Sequence, residues 1–379
     1  MERHKTKKWT RITSRALCAA AMFSAVGASA SFADEASIPG LKNRTIGFAL
    51  VGARWGIHQT PDGKAECPEG FNEGPREQFK ALYPNGGTVD GTQLERESAS
   101  RYPLDKDDSF SSSYREVKGK TAIGLDLDGK ADAADFVGTE GEKGIDNQLY
   151  RAIGCTRLFR APDGTFAHFT NMWVREFNYN RILFELTDVD SLENDSDVTV
   201  SMYRGKDKLI TDATGANIIA GGSVRVDDRF GKRFMSRTKG RIENGVLITE
   251  PVDINYPWAV FIARPGYYEI KGARLKVTLA PSGESAEGVL GGYADIETWY
   301  QQLVRSWSTH HSSYGGLSQP SLYRVLYRLA DGYPDAKGAN TAISSSIAIK
   351  LVQTFIEHPN RSVAEVESGS KPAAEAVRR

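Results

Sequence analysis

Residues 241–249 read RIENGVLIT, two short runs rich in β-branched residues and separated by Asn244 and Gly245. An Asn-Gly pair between such runs is the strongest short-range hairpin signal, because both residues tolerate the positive φ of a tight two-residue turn. β-branched side chains also favour extended backbone. The stretch therefore predicts an antiparallel hairpin.

Further strand patterns recur on both sides of this hairpin. Apolar and polar residues alternate in residues 180–189, 197–203 and 274–279, as they do in half-buried strands. Residues 45–55, TIGFALVGARW, are apolar on both faces, which is typical of a buried strand. Pro265 and Gly266 predict a second hairpin, between residues 258–264 and 267–270.

Short strands separated by turn signals indicate an all-β architecture, and no alternation of strands with helices suggests a parallel sheet. We therefore expect a mainly β fold, an antiparallel, jelly-roll-like β-sandwich over residues 34–285. Residues 56–120 are rich in proline, glycine and aspartate and predict a loop-rich insertion with a short helix at 75–82.

The pattern changes after residues 281–284, where a C-terminal helical segment over 290–358 is expected. Helical spacing of apolar residues predicts a first helix over 293–307, and Pro320 opens a second. A third helix is predicted over 341–357 from Ile343, Ile347, Leu351 and Phe355, although its serine and isoleucine content leaves a strand open near its start. Residues 359–379 are small, charged and aperiodic, and predict a disordered tail.

Residues 1–33 have the order of a secretory signal: a basic start, an apolar stretch over 16–26 and small residues before Ala30 and Ala33. We expect cleavage near one of these alanines and export to the periplasm or the cell exterior. The segment holds six of the 48 basic residues and one of the 48 acidic residues, so the remainder is net acidic. A net acidic chain argues against nucleic acid as a partner, and no second apolar run is long enough for a transmembrane helix.

Two cysteines, Cys67 and Cys155, remain outside the predicted signal. An even pair in an exported chain predicts a disulfide, because oxidising compartments let such a bond persist. The alternative is two separate buried thiols. No spacing of cysteine and histidine suggests a zinc or haem site.

Residues 124–135 read GLDLDGKADAAD and place oxygen ligands at alternating positions, with Gly129 at the sharp turn. The stretch resembles an EF-hand or dockerin-type calcium loop, except that Gly124 stands where that family has aspartate. The resemblance implies a calcium site, with a further ligand arriving from elsewhere in the chain. The candidate ligands are Asp126, Asp128, Asp132, Asp135 and Asp146. The alternative is a solvated acidic turn.

Other candidate sites carry weaker signals. Five carboxylates within residues 188–197 suggest a second cation site or a polar hairpin loop. His310 and His311 are adjacent and therefore point to different sides of the chain, which makes a poor metal site. The aromatic residues that flank the second hairpin are able to stack on sugar rings or to fill the core: Tyr256, Trp258, Tyr267 and Tyr268.

No nucleophile motif or phosphate-binding loop is present in the sequence. We therefore expect an exported protein that binds a ligand or partner without catalysis and whose loops are ordered by calcium. The alternative is an exported carbohydrate-active hydrolase that uses a pair of carboxylates.

Overall fold

Eight antiparallel strands form one sheet that closes on itself in the computed structural model. The structure describes residues 38, 40–72, 114–161, 164–176, 180–259, 266–306 and 319–359. The described strands are β1 Thr45–Trp55, β2 Thr121–Ala122, β3 Val137–Gly138, β4 Ile182–Thr187, β5 Asp195–Arg204, β6 Gly222–Arg225, β7 Ser236–Glu243, β8 Val246–Thr249, β9 Val252–Trp258, β10 Gly266–Leu279, β11 Ser285–Asp295, β12 Gly332–Pro334 and β13 Asn340–Glu357. The described α-helices are α1 Gln148–Ile153, α2 Thr165–Glu176, α3 Ile296–Ser306 and α4 Gln319–Arg328.

The closed sheet runs in the order β1, β4, β5, β7, β8, β10, β11 and β13, and β13 then pairs with β1. The closing pair is antiparallel and extends from Gly47 opposite Thr354 to Trp55 opposite Ile347. Closure satisfies the backbone groups that two open edges would leave unpaired. The fold class predicted from the sequence, mainly β and antiparallel with helices near the C-terminus, is confirmed, whereas the closing pair was not predicted.

One hydrophobic core fills the interior of the closed sheet, and all eight of its strands contribute buried side chains. β1 supplies Phe48 and Leu50, and β13 supplies Ile347 and Ile349 from the opposite end of the chain. A smaller cluster covers the outer face of β1, β4 and β13: Ala49, Leu183, Leu209, Val224 and Val352. The strands β1, β4 and β13 are thus buried on both faces, which explains the continuous apolar run of residues 45–55.

The two C-terminal helices cap the sheet and join its core. α3 begins after Asp295, whose Oδ1 accepts a hydrogen bond from the backbone N of Thr298 at 2.9 Å, as an N-cap residue does. Trp299 of α3 stacks on Trp258 with ring centroids 5.8 Å apart. Leu322 and Leu326 of α4 are buried in the same cluster. The predicted first and second helices are therefore confirmed, with the first beginning three residues later than expected.

The predicted third helix is wrong, because residues 340–357 form β13 and pair with both β1 and β11. Its apolar residues recur every fourth position, from Ile343 to Phe355. Four is a multiple of the two-residue period of a strand, so this spacing also places side chains on one face of a sheet. The β-branched residues Ile347 and Ile349 favour the extended form.

The first predicted hairpin is confirmed, whereas the second differs from its prediction. Asn244 and Gly245 adopt φ of 51° and 79° between β7 and β8. The first strand of the second hairpin is β9, Val252–Trp258, where residues 258–264 were expected, and Gly266, expected in the turn, lies in β10. β9 pairs with β10 from Trp258 opposite Gly266, while residues 260–265 lie outside the described part of the chain. The predicted helix at 75–82 and residues 360–379 of the predicted tail also lie outside the described residues.

The disulfide between Cys67 and Cys155 is confirmed, with Cα atoms 5.7 Å apart. It joins the segment after β1 to the second residue beyond the end of α1. The backbone N of Asn72 donates to the carbonyl of Cys155 at 2.7 Å, which is a second contact between the same two segments. Beside it, Arg160 Nη2 lies 2.5 Å from Oε1 of the buried Glu66. The described part of the loop-rich segment is thus fixed to residues 155–160, just after α1, by covalent, hydrogen-bonded and ionic contacts.

Candidate functional site

Three of the five predicted calcium ligands lie together at one end of the sheet. Oxygen atoms of Asp126, Asp128 and Asp146, one from each carboxylate, all lie within 4.8 Å of one another. We call these residues the Asp cluster. Asp146 is 6% exposed, whereas Asp126 and Asp128 are exposed. A buried carboxylate that faces two others is an unfavourable arrangement unless a cation or a proton compensates it.

Local backbone contacts bring the Asp cluster together. The backbone N of Asp146 donates to the carbonyl of Leu125 at 2.9 Å, which sets the two segments side by side. The backbone N of Leu127 donates to Asp146 Oδ2 at 2.6 Å. Gly129 adopts φ of 78°, and its N donates to Asp126 Oδ1 at 2.7 Å. The glycine predicted at the turn therefore folds the loop so that Asp126 and Asp128 approach Asp146.

The other two predicted ligands, Asp132 and Asp135, lie outside the Asp cluster. The backbone N of Asp132 donates to Asp135 Oδ2, so this pair closes its own turn. The charge of Asp135 nevertheless acts on Asp146 and raises its pKa. The two residues are therefore neighbours of the cluster rather than members of it.

Burial is the main reason why the pKa of Asp146 rises, to about 6. The charges of Asp135, Asp128 and Asp331 raise the pKa further, while the hydrogen bond from Leu127 N lowers it. Asp331 is held nearby, because its carboxylate accepts hydrogen bonds from the N and Oγ of Ser344 at 2.7 and 2.5 Å. This end of the sheet therefore concentrates negative charge around one buried carboxylate.

A cleft of about 950 Å³ lies between α2 and the outer face of the sheet. Its volume falls in the upper part of the range that small-molecule sites occupy. The sheet side of the cleft is formed by neighbouring strands, in which Arg54 of β1 lies opposite Ala348 of β13, and Ala348 lies opposite Val289 of β11. In the next row Lys350 lies opposite Glu287.

The helix side of the cleft is formed by α2, which Asn171 attaches to β1. Its Oδ1 accepts from the backbone N of Ala53 at 2.8 Å, and its Nδ2 donates to the carbonyl of the same residue at 2.9 Å. Ala53 lies next to the point between Leu50 and Gly52 at which the register of β1 relative to β13 shifts. Asn171 thus adds a hydrogen-bonded contact to the buried face with which α2 packs on the sheet.

Replacing Asn171 by alanine should lower the free energy of unfolding by about 1–3 kcal/mol, because it removes three hydrogen bonds to partly buried backbone groups, two at Ala53 and one at the carbonyl of Ala167. Urea unfolding measures this loss. His168→Ala, at an exposed position one turn earlier in α2, is the matched control and should change stability by less than about 0.5 kcal/mol. Equal stability of the two variants would show that Asn171 does not hold α2 in place.

The cleft and the loop of residues 124–138, which carries Asp126 and Asp128, are neighbours. Ile123 and Thr139, which flank that segment, both line the cleft. Asn147 Nδ2 donates to the carbonyls of Ile123 and Gly56 at 2.8 and 2.9 Å, which fixes one end of the segment against the sheet. The position of the acidic loop therefore affects the shape of the cleft.

The remaining candidates contribute less to a site. In the second acidic cluster, Asp190 lies 2.8 Å from Arg44 Nε, and Asp197 lies 2.7 Å from Lys239 Nζ, as in a polar loop with ion pairs. Three of the four aromatic residues of the second hairpin are buried in the core: Tyr256, Trp258 and Tyr268. His310 and His311 lie outside the described residues.

The cleft was not predicted from the sequence, although the helix that forms one of its sides has a recognisable pattern. Phe166, Thr170, Trp173 and Val174 recur at helical spacing and form the buried face of α2. The cleft itself lies between α2, which packs on β1, and residues of β11 and β13, so it depends on contacts between segments far apart in the chain.

Within the described ranges, no helix has the length and hydropathy that crossing a bilayer requires. Comparisons with protein-family models, with curated proteins and with solved structures each found no match. Function is therefore inferred from the geometry of the Asp cluster and the cleft.

Proposed function

We propose that this chain is an exported, non-catalytic binding protein in which calcium, held by the Asp cluster, orders the loop beside a ligand-binding cleft. The observation that carries the proposal is the meeting of the buried Asp146 with Asp126 and Asp128 within 4.8 Å. Export is supported by the signal-like order of residues 1–33 and by the disulfide, which persists in oxidising compartments.

The spacing of the Asp cluster suits a calcium ion. Calcium binds oxygen at about 2.3–2.6 Å, so two ligands of one ion lie at most about 5 Å apart. The oxygens of Asp126, Asp128 and Asp146 satisfy this limit. Calcium takes about six to eight oxygen ligands, so carbonyl groups and water would complete the shell. The ion would also neutralise the repulsion that raises the pKa of Asp146.

Binding of calcium would act on the cleft through the loop. Carboxylates that repel one another hold the loop loosely, whereas a shared ion draws them together. Ile123 and Thr139, at the two ends of this segment, line the cleft. The bound ion would therefore favour one shape of the cleft wall and raise the affinity for its ligand.

A second candidate function is a hydrolase in which Asp146 acts as a general acid. It is favoured by the pKa of Asp146, which at about 6 falls in the range of such acids. The geometry favours it less, since paired carboxylates of glycosidases lie about 5–10 Å apart and flank a cleft. The oxygens of the Asp cluster are closer than this, and Asp146 is not among the described residues that line the cleft.

Calcium should raise the melting temperature of the purified, oxidised protein relative to EDTA. With a dissociation constant of about 10 μM, millimolar calcium stabilises the folded state by about 2.7 kcal/mol, or about 4 °C for a chain of this length. Asp126→Asn combined with Asp128→Asn should abolish the rise. Glu69→Gln, at an exposed position outside the cluster, should keep it.

Differential scanning calorimetry of the wild type, the double variant and Glu69→Gln, each in EDTA and in calcium, measures these melting temperatures. An unchanged melting temperature of the wild type in calcium would contradict the proposal. So would a rise of equal size in the double variant, because the ion would then bind elsewhere.

A further inference from the structure

We propose that the cleft binds an amphiphilic carboxylate, a molecule with an aliphatic body and one carboxylate group, of the fatty-acid class. The inference deepens the proposed function and rests on the binding role, although not on the bound ion. It follows from three properties of the cleft: its charges, its aliphatic lining and its volume.

The charges of the cleft favour an anion. Arg54 and Arg175 are exposed and line the cleft, and neither forms an ion pair with any residue in the ranges that the structure describes. Lys350 Nζ lies 3.8 Å from Glu287 Oε2, so these two charges balance each other. Glu176 is the other carboxylate of the described lining. Against Glu176, the guanidinium groups of Arg54 and Arg175 leave an excess of one positive charge in the described lining, and guanidinium binds carboxylate in a bidentate manner.

The surface between these charges is aliphatic. Val289 and Ala348 lie next to each other on adjacent strands, and Met172 faces the cleft from α2. The apolar residues that line the cleft are Ala53, Ile123, Ala161, Ala167, Met172, Val289, Ala348 and Ile349. No Phe, Tyr or Trp is among the described lining residues. Sugar-binding sites use aromatic rings as stacking platforms, so this lining suits an alkyl chain better than a saccharide.

The glycines of the cleft extend the same surface. Gly52 of β1 has no side chain to cover its neighbours, and a Cβ atom placed there would lie 3.6 Å from Lys350 Cβ, in ordinary contact. Gly288 of β11 also lines the cleft. At these two positions no side chain extends from the sheet into the cleft. The cleft has a volume of about 950 Å³, which is enough for a molecule of drug-like size.

The test is isothermal titration of the full oxidised protein with decanoate in millimolar calcium. We expect one decanoate per chain, and we expect decyltrimethylammonium, which has the same chain and the opposite charge, not to bind. Arg54→Gln combined with Arg175→Gln should weaken decanoate binding at least about tenfold, because each charge-assisted hydrogen bond contributes strongly. Lys276→Gln removes an exposed cation from the same face outside the cleft and should leave binding unchanged.

Several results would overturn the inference. Equal binding of the two decyl compounds, or undiminished binding to the arginine double variant, would show that the guanidinium groups do not select the ligand. Binding of trigalacturonate in place of decanoate would identify an acidic saccharide instead. Because the two arginines are exposed and unpaired with described residues, the melting temperature of their double variant should match the wild type and confirm that it folds.

The same titrations separate this inference from the proposed function. No decanoate binding, together with a calcium-dependent rise in melting temperature, would overturn the fatty-acid assignment and leave the calcium site in place. Decanoate binding of equal strength in EDTA and in calcium would support the ligand class and contradict the coupling between the ion and the cleft.

Discussion

Replacing Cys67 and Cys155 together by alanine should lower the free energy of unfolding by about 4–5 kcal/mol, or about 6 °C in melting temperature. The bond closes a loop between residues 88 apart in sequence, and in the chain-entropy model a loop of this length restricts the unfolded chain strongly. Both cysteines are buried, so the loss of their sulfur contacts adds to the effect.

Chemical unfolding of the double variant and of the wild type measures the loss. Cys67→Ala alone should be destabilised to a similar extent, because either substitution opens the loop. The native wild type should resist mild reductant, since both residues are buried. A loss below about 1 kcal/mol in the double variant would show that the segment around Cys67 is held by its other contacts, such as Glu66 with Arg160.

Asp146→Asn should stabilise the calcium-free protein at pH 7 by up to about 3 kcal/mol. The pKa of Asp146 in the folded state is about 6, above the 3.8 of an ordinary aspartate, so folding disfavours its charged form. An asparagine has a similar shape, and its oxygen still accepts the hydrogen bond from Leu127 N. It carries no charge, and it therefore avoids burial of an anion beside Asp126 and Asp128.

The sign of this effect fixes its pH dependence. A raised folded-state pKa contributes stability below pH 4, and that contribution is lost as the pH rises through about 6. The advantage of Asp146→Asn in EDTA should therefore be small at pH 4 and full at pH 7. The nearby carboxylates are the same in both proteins and largely cancel in the comparison. Lower stability of the variant than of the wild type at pH 7 in EDTA would show that burial does not disfavour the charged form of Asp146.

Local signals allowed part of the fold to be predicted. Asn244 and Gly245 form the expected turn because their positive φ is a property of the two residues themselves. The disulfide was predicted from the number of cysteines together with the expected export of the chain. By contrast, the pairing of β1 with β13 joins residues about 300 positions apart, and no local pattern encodes such a contact. Closure of the sheet was missed for this reason.

The candidate site was also predictable only where it depends on local sequence. Asp126, Asp128 and Gly129 were recognisable as a turn with oxygen ligands, and Asp146 was expected from its position in the chain. The burial of Asp146, which raises the pKa of its carboxyl group, depends on the fold around it. The described lining of the cleft comes from β1, α2, β10, β11, β13 and the segments beside them, and its two arginines are 121 positions apart. Sequence spacing alone does not bring these residues together.

We propose that the Asp cluster binds calcium, and isothermal titration of the chelator-treated protein at pH 7 measures this binding, with the wild type and Asp146→Asn in parallel. We predict one calcium ion per wild-type chain, with a dissociation constant on the order of 10 μM, and no binding to Asp146→Asn. Absence of binding to the wild type, or undiminished binding to Asp146→Asn, would contradict the claim.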